Sequence, residues 1–319
     1  MVYSSPILVC DLMQNHRAVF VNPLLWTTRH FDLQGCRFED VQSKTSSIDF
    51  TQGNCSTEVD LKICKKRELD AQNLAETAYR TVKRNCLISI LVGEGREFAK
   101  IRQGPGFFFA GILAHSPSYT VFHRHGQPKQ HVREGSPPLV GYLDYGEVSG
   151  SRLRKFFPRP APRGRFNKPG VALSKKKLAQ VTPKEWTGDP VSWDDRENHG
   201  ATRLLGPNSL VSQSRLFVTD MFDREYIHLY DTEITTDLLN ALAKPKSATK
   251  PVQSPVIRRK RIPYKPYDTF CDRFSAELVA PSLGHFDATI VLSDKLSPKR
   301  QHEQDSTNSA SLVDSYSGN

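Results

Sequence analysis

The sequence predicts an α+β protein: small mixed α/β modules, separated by Pro-rich basic linkers without fixed structure and followed by a disordered tail. Three observations carry this expectation. The positive charge is segregated, the prolines follow it, and apolar patterning is confined to what lies between. Residues 148–184 contain eleven Lys or Arg and no Asp or Glu. Residues 238–267 add eight more (Lys244, Lys246, Lys250, Arg258, Arg259, Lys260, Arg261 and Lys265), again without an acid. Together they hold 10 of the 21 prolines. The remainder of the chain keeps 25 of the 44 basic residues against all 34 acidic ones, so it is acidic although the whole carries +10. Such segregation implies a polyanionic partner. The two basic stretches lack the apolar surface that offsets ordering entropy and read as extended and mostly unfolded.

Taken in order, the first module is an α+β domain over residues 1–147. Short strands are expected at 6–10, 17–22, 47–51 and 59–64, the last from the alternation Val59, Leu61, Ile63. A helix is expected over 66–84, where Ala71, Leu74, Ala75, Ala78, Tyr79 and Val82 share one face with charges opposite. The apolar run 86–92 reads as a buried strand, and 107–114, 119–123 and 139–145 as further strands. The arm 148–184 follows, then a hairpin–helix module over 185–243. Its strands are 215–219 and 226–230, and Asp231 or Thr232 is expected to cap a short helix. A basic linker over 244–267 leads to a helix–strand element over 268–293, with a helix at 269–279 and a strand at 288–292. Residues 294–319 have almost no apolar content and read as a disordered tail.

Six cysteines form no C-x-x-C pair, which argues against a zinc finger. No signal peptide and no membrane-length apolar run are visible, so a nuclear or cytoplasmic protein with reduced thiols is expected. No cofactor is implied.

The basic arm carries the strongest functional signal. Arg152, Arg154, Lys155, Arg159, Arg163, Arg165, Lys175, Lys176 and Lys177 supply cations that could follow a phosphate backbone. Phe156, Phe157 and Phe166 interleave with them, so base stacking and charge contact could alternate. An extended arm suits single-stranded RNA better than a duplex groove. Arg258, Arg259, Lys260 and Arg261 form a compact tetrad of the kind that serves as a nuclear-import signal.

Weaker patterns point elsewhere. Gly93 and Gly95 follow the run 86–92, where a nucleotide-binding turn would sit, but Phe98 occupies the third glycine position. His115, His123, His125 and His131 cluster, yet Arg124, Lys129 and Arg133 among them oppose a divalent cation, so no metal site is assigned. Trp186 and Trp193 flank Gly188, Asp189 and Pro190 as a loop pin or an aromatic clamp. Ser254-Pro255 and Ser297-Pro298 fit a proline-directed kinase pattern in segments expected to be accessible. Ser214 to Asp220, followed by Asp231-Thr232, resembles the opening of a retroelement aspartic protease, with Glu233 where that family has glycine. The resemblance implies at most an inactive relic.

The leading expectation is therefore a non-enzymatic nucleic-acid-binding protein whose partner is RNA or another polyanion. An enzyme with a site near the Gly-rich turn and histidines of 86–131 is a second reading. A scaffold that docks protein partners through its linkers is a third.

Overall fold

Alternating apolar residues build the centre of one sheet. In the computed structural model, β7 (Val211–Thr219) and β8 (Tyr226–Thr235) pair antiparallel, with Phe217 opposite Leu229. β9 (Val256–Pro263) adds antiparallel to β8, and β1 (Arg37–Asp40) adds parallel to β9. On the other side β6 (Leu139–Asp144) lies parallel to β7, followed by antiparallel β5 (Thr120–Arg124) and β2 (Phe98–Ile101). The seven-stranded mixed sheet thus has the order β1-β9-β8-β7-β6-β5-β2. A separate pair joins β3 (Phe107–Phe109) to β4 (Ile112–His115). The structure describes residues 9–16, 22–42, 57–93, 96–101, 107–109, 112–115, 120–125, 139–189 and 211–280. Residues 1–282 form one compact unit, and a second unit, 283–319, lies outside the described residues.

Helices cover both faces. On one, α3 (Glu58–Glu76), α4 (Arg80–Leu91) and α8 (Tyr267–Val279) bury Leu74, Leu87, Ile90, Phe270 and Phe274 against Phe122, Tyr142, Phe217 and Leu229. On the other, α2 (Thr28–Leu33) and α5 (Tyr145–Phe156) bury Phe31 and Val148 against Leu216, Val218 and Tyr230. A strand covered on both faces buries successive side chains, which is why Leu216, Phe217 and Val218 are apolar in a row. α1 (Val9–Asn15) and α7 (Thr236–Ala243) close one end around Ile234.

The largest departure from expectation is the stretch 148–184. It is neither extended nor a linker: it supplies most of α5 and all of α6 (Lys168–Val181). Parallel strands need a long crossover to bring the chain back in the same direction, and β6–α5–α6–β7 is that crossover. Lys, Arg, Leu and Ala are good helix formers, so charge alone did not forbid helix. Asp144 caps α5 by accepting from the Gly146 amide at 2.9 Å, and Arg154 and Lys155 sit in its last turn, where the helix dipole favours cations. Asn167 caps α6, with a proline in the first turn.

The second basic stretch is not a linker either. Residues 256–263 are β9, inside the sheet. The sheet also draws strands from both expected modules, because β6 pairs with β7. Residues 59–64 and 86–92, expected as strands, are helical except for Val92, and the helix expected over 66–84 is two helices that break at residues 77–79. Residues 9–10 begin a helix rather than end a strand. The helix after β8 is capped by Thr235, whose hydroxyl accepts from the Leu238 amide at 3.3 Å, not by Asp231 or Thr232. The expected strands at 47–51 and 288–292, most of 17–22 and the expected tail at 294–319 lie outside the described residues.

Candidate nucleic-acid interface

Within the α5–α6 crossover, residues 148–184 form a folded basic segment that contains no Asp or Glu. Of its eleven cations, Arg154, Lys155, Arg159, Arg163, Arg165, Lys168, Lys175, Lys176, Lys177 and Lys184 are exposed. None of these ten is ion-paired among the described residues. Phe156 is half-buried, while Phe157 and Phe166 are exposed. Both exposed rings belong to the loop 157–167 that joins the two helices.

That loop is braced by its own backbone. The Ala161 amide donates to the Arg165 carbonyl at 3.0 Å, and the Gly164 amide donates to the Ala161 carbonyl at 3.1 Å. Asn167 ties the two flanks together, its Nδ2 donating to the Arg159 carbonyl at 2.9 Å while its Oδ1 accepts from the Gly170 amide at 2.8 Å. Pro158, Pro160 and Pro162 fix φ along one flank. At the tip Arg163 has φ 64° and Gly164 φ 70°. The left-handed region is cheap for glycine but costs an ordinary residue about 1–2 kcal/mol.

Arg152, the eleventh cation, is buried and does not belong to the surface. Its Nη2 donates to Asp189 Oδ1 at 2.9 Å, its Nη1 donates to Asp189 Oδ2, and its Nε donates to the Leu24 carbonyl at 3.0 Å. The Tyr145 hydroxyl donates to the same carboxylate at 2.7 Å. Burial, reinforced by the charge of Asp189, raises that phenol well above its ordinary range. This knot fastens α5 to the Trp186–Gly188 turn. There Trp186 packs against Tyr145 at 5.4 Å and edge-on to His228 at 4.7 Å, so it pins the loop. Trp193 lies outside the described residues.

The tetrad sits between β8 and β1, where an import receptor would find no free peptide. Arg258 Nη1 is 3.3 Å from Glu233, Arg259 grips Asp40 with two bonds of 2.6 and 2.8 Å, and Lys260 Nζ meets the buried Glu277 at 2.9 Å. Arg261 lies 5.4 Å from the centre of the Tyr226 ring. Ser254, expected to be accessible, is buried and donates to the Gln34 carbonyl at 2.6 Å; Ser297 lies outside the described residues.

Only part of the stretch 86–131 is described. Gly93 follows the end of α4 rather than a strand, and Gly95 and His131 are not described. The His123 and His125 rings are 5.7 Å apart. No group of three His, Cys, Asp or Glu is placed to hold a metal ion among the described residues. Asp231, the residue behind the protease resemblance, sits within β8 opposite Arg215 and 3.4 Å from its guanidinium.

Sequence reasoning missed one polar cluster, where β6 and β7 end side by side. Lys83 is fully buried, and its Nζ donates to the Asp220 carbonyl at 2.8 Å. Burial holds that amine below its ordinary value and raises the Asp144 carboxyl nearby. Thr219 donates to Asp144 at 3.2 Å and lies 3.0 Å from the Tyr142 hydroxyl. Within the β7–β8 turn, Asp223 Oδ2 lies 2.8 Å from His228 Nε2. A lysine on the polar side of a helical pattern looks solvent-exposed in sequence, so nothing marked Lys83 for burial.

The fold and this surface define a mixed α/β protein with a basic helical crossover. No helix among the described residues is long and apolar enough to cross a membrane. Comparison with protein-family models and with curated proteins finds no match.

Proposed function

We propose that this protein binds nucleic acid through phosphate contacts made by the α5–α6 crossover. One observation carries the reading: ten exposed cations, without an ion-pairing partner among the described residues, stand on one folded, acid-free segment. Cations held by internal carboxylates, as on β9, have spent their charge inside the fold. Those on α5, α6 and their loop remain free to neutralise phosphates and release counterions. The segment is prefolded, so binding requires no ordering of a long arm. Outside this segment the chain holds 33 basic against 34 acidic residues, so the excess positive charge of the whole resides here.

Fluorescence anisotropy with a mixed-sequence single-stranded RNA, titrated at several salt concentrations, tests this. If about five to seven cations contact phosphates, log K falls against log salt with a slope of roughly −3.5 to −5. Changing Lys175, Lys176 and Lys177 to Ala preserves helix propensity. It should flatten the slope by about 0.7 per lost contact and weaken all sequences alike. Absence of binding at low salt defeats the proposal.

A further inference from the structure

We infer that the loop 157–167 is a preformed platform on which unpaired bases stack, so the partner of the basic crossover is a single-stranded nucleic acid. This rests on the phosphate-binding reading above and adds to it a geometric choice of ligand. With 148–184 folded into helices, an extended arm no longer argues for a single strand, since a basic helix also fits a duplex groove. The loop supplies a different argument.

Phe157 is 73% exposed and Phe166 74% exposed. A single exposed phenyl is ordinary on a protein surface. Two at the base of one short loop, amid Arg159, Arg163 and Arg165 and without an acid, are a patterned surface. The bond from Asn167 to the Arg159 carbonyl brings the flanks together, so both rings leave neighbouring stretches of backbone. The Ala161–Arg165 closure and the three prolines hold that arrangement before any ligand arrives. Arg163, in the left-handed region at the tip, is exposed and adds a cation to the same loop.

Stacking explains this combination, because every base offers a π-face to a ring while guanidinium groups take the adjoining phosphates. In a duplex those faces are already covered. A lipid surface would need more apolar insertion than two phenyl rings in a loop otherwise made of Pro, Arg, Ala, Gly and Asn.

The experiment compares wild type, Phe157→Ala, Phe166→Ala and Asn167→Ala on three probes: a single-stranded RNA carrying 2-aminopurine, a blunt duplex, and phosphatidylserine–phosphatidylcholine vesicles. Both rings are exposed, so circular dichroism and thermal melting of the two Phe variants should match wild type. Each lost ring should weaken single-strand binding by about five- to a hundredfold with the salt slope unchanged, and leave duplex binding as it was. Quenching of 2-aminopurine on binding should fall in both Phe variants. Asn167→Ala, which loosens the loop with both rings present, should weaken the single strand selectively; full affinity in that variant overturns preorganisation. If wild type binds RNA but the Phe variants bind it equally well, or lose single strand and duplex alike, the stacking platform is wrong while phosphate binding stands. Ring-dependent vesicle binding beside ring-independent RNA binding assigns the loop to membranes and overturns the inference. A wild type that binds no RNA at low salt defeats the phosphate-binding reading and this inference together.

Discussion

Arg152 and Asp189 form a buried bidentate ion pair, with side chains 1% and 0% exposed, that fastens the basic helix α5 to the turn following α6. The pair ties α5 to the segment that follows α6, and Arg152 also bonds the Leu24 carbonyl. Removing either residue takes a bidentate counter-ion from the charge that stays buried. Arg152→Ala or Asp189→Ala should therefore cost about 3–5 kcal/mol of stability, read as a lower urea midpoint. The double change Arg152→Met with Asp189→Leu should recover part of that loss. A loss below about 1 kcal/mol in either single variant would show that the pair is only a surface bridge.

Limited trypsin digestion separates a folded crossover from an arm. Arg159 and Lys168 precede prolines and resist cleavage. Arg152 is buried, and Arg154 and Lys155 lie within α5. Within residues 145–189 the first cut should fall after Arg163 or Arg165, at the loop. Equally early cleavage after Arg152 or Arg154, mapped by mass spectrometry, would mean that α5 is not formed.

The two basic stretches should respond oppositely to alanine. Lys260→Ala removes an ammonium 2.9 Å from the buried Glu277 carboxylate and should lower stability by about 1–3 kcal/mol while leaving RNA affinity of the folded fraction unchanged. Replacing Lys175, Lys176 and Lys177 should leave the urea midpoint nearly unmoved and reduce affinity. Urea melts beside anisotropy on both variants decide it. Weakened RNA binding by a stably folded Lys260→Ala protein would relocate the interface towards β9.

Asp223 gives the pH dependence a defined sign. Burial pushes its carboxyl upward, but His228 and the amides of Tyr226 and Glu225 outweigh this and hold it below the ordinary 3.8. The folded state therefore releases this proton more readily than the unfolded chain does. The resulting stability is fully present above 3.8 and is lost as pH falls through the lower folded value. Asp223→Asn should lower the plateau stability and shrink the acid-side decline, seen in urea midpoints across an acidic series. An unchanged decline would exclude Asp223 as a contributor.

The strands β5 to β8 were legible because period-two or continuous apolar runs record burial on a pleated surface whatever the partner. The helix 269–279 was legible for the matching reason at helical period. The same reading failed at 59–64, where Val59, Leu61 and Ile63 alternate but stand exposed on α3. A short alternation is compatible with either conformation, and the packing of Leu74 and Ala75 further along settled it.

By itself the sequence determined the segregation of charge, the central hairpin of β7 and β8, and which two segments concentrate the cations. Only the tertiary structure decided which cations remain on offer. Arg258, Arg259 and Lys260 read as a solvated cluster because their carboxylates lie far away in the chain, on β8, β1 and α8. Arg152 vanished into the core because Asp189 meets it across α6. Charge along a chain is local information, whereas neutralisation depends on what the fold brings within a few ångströms, and Coulomb attraction grows with proximity and burial.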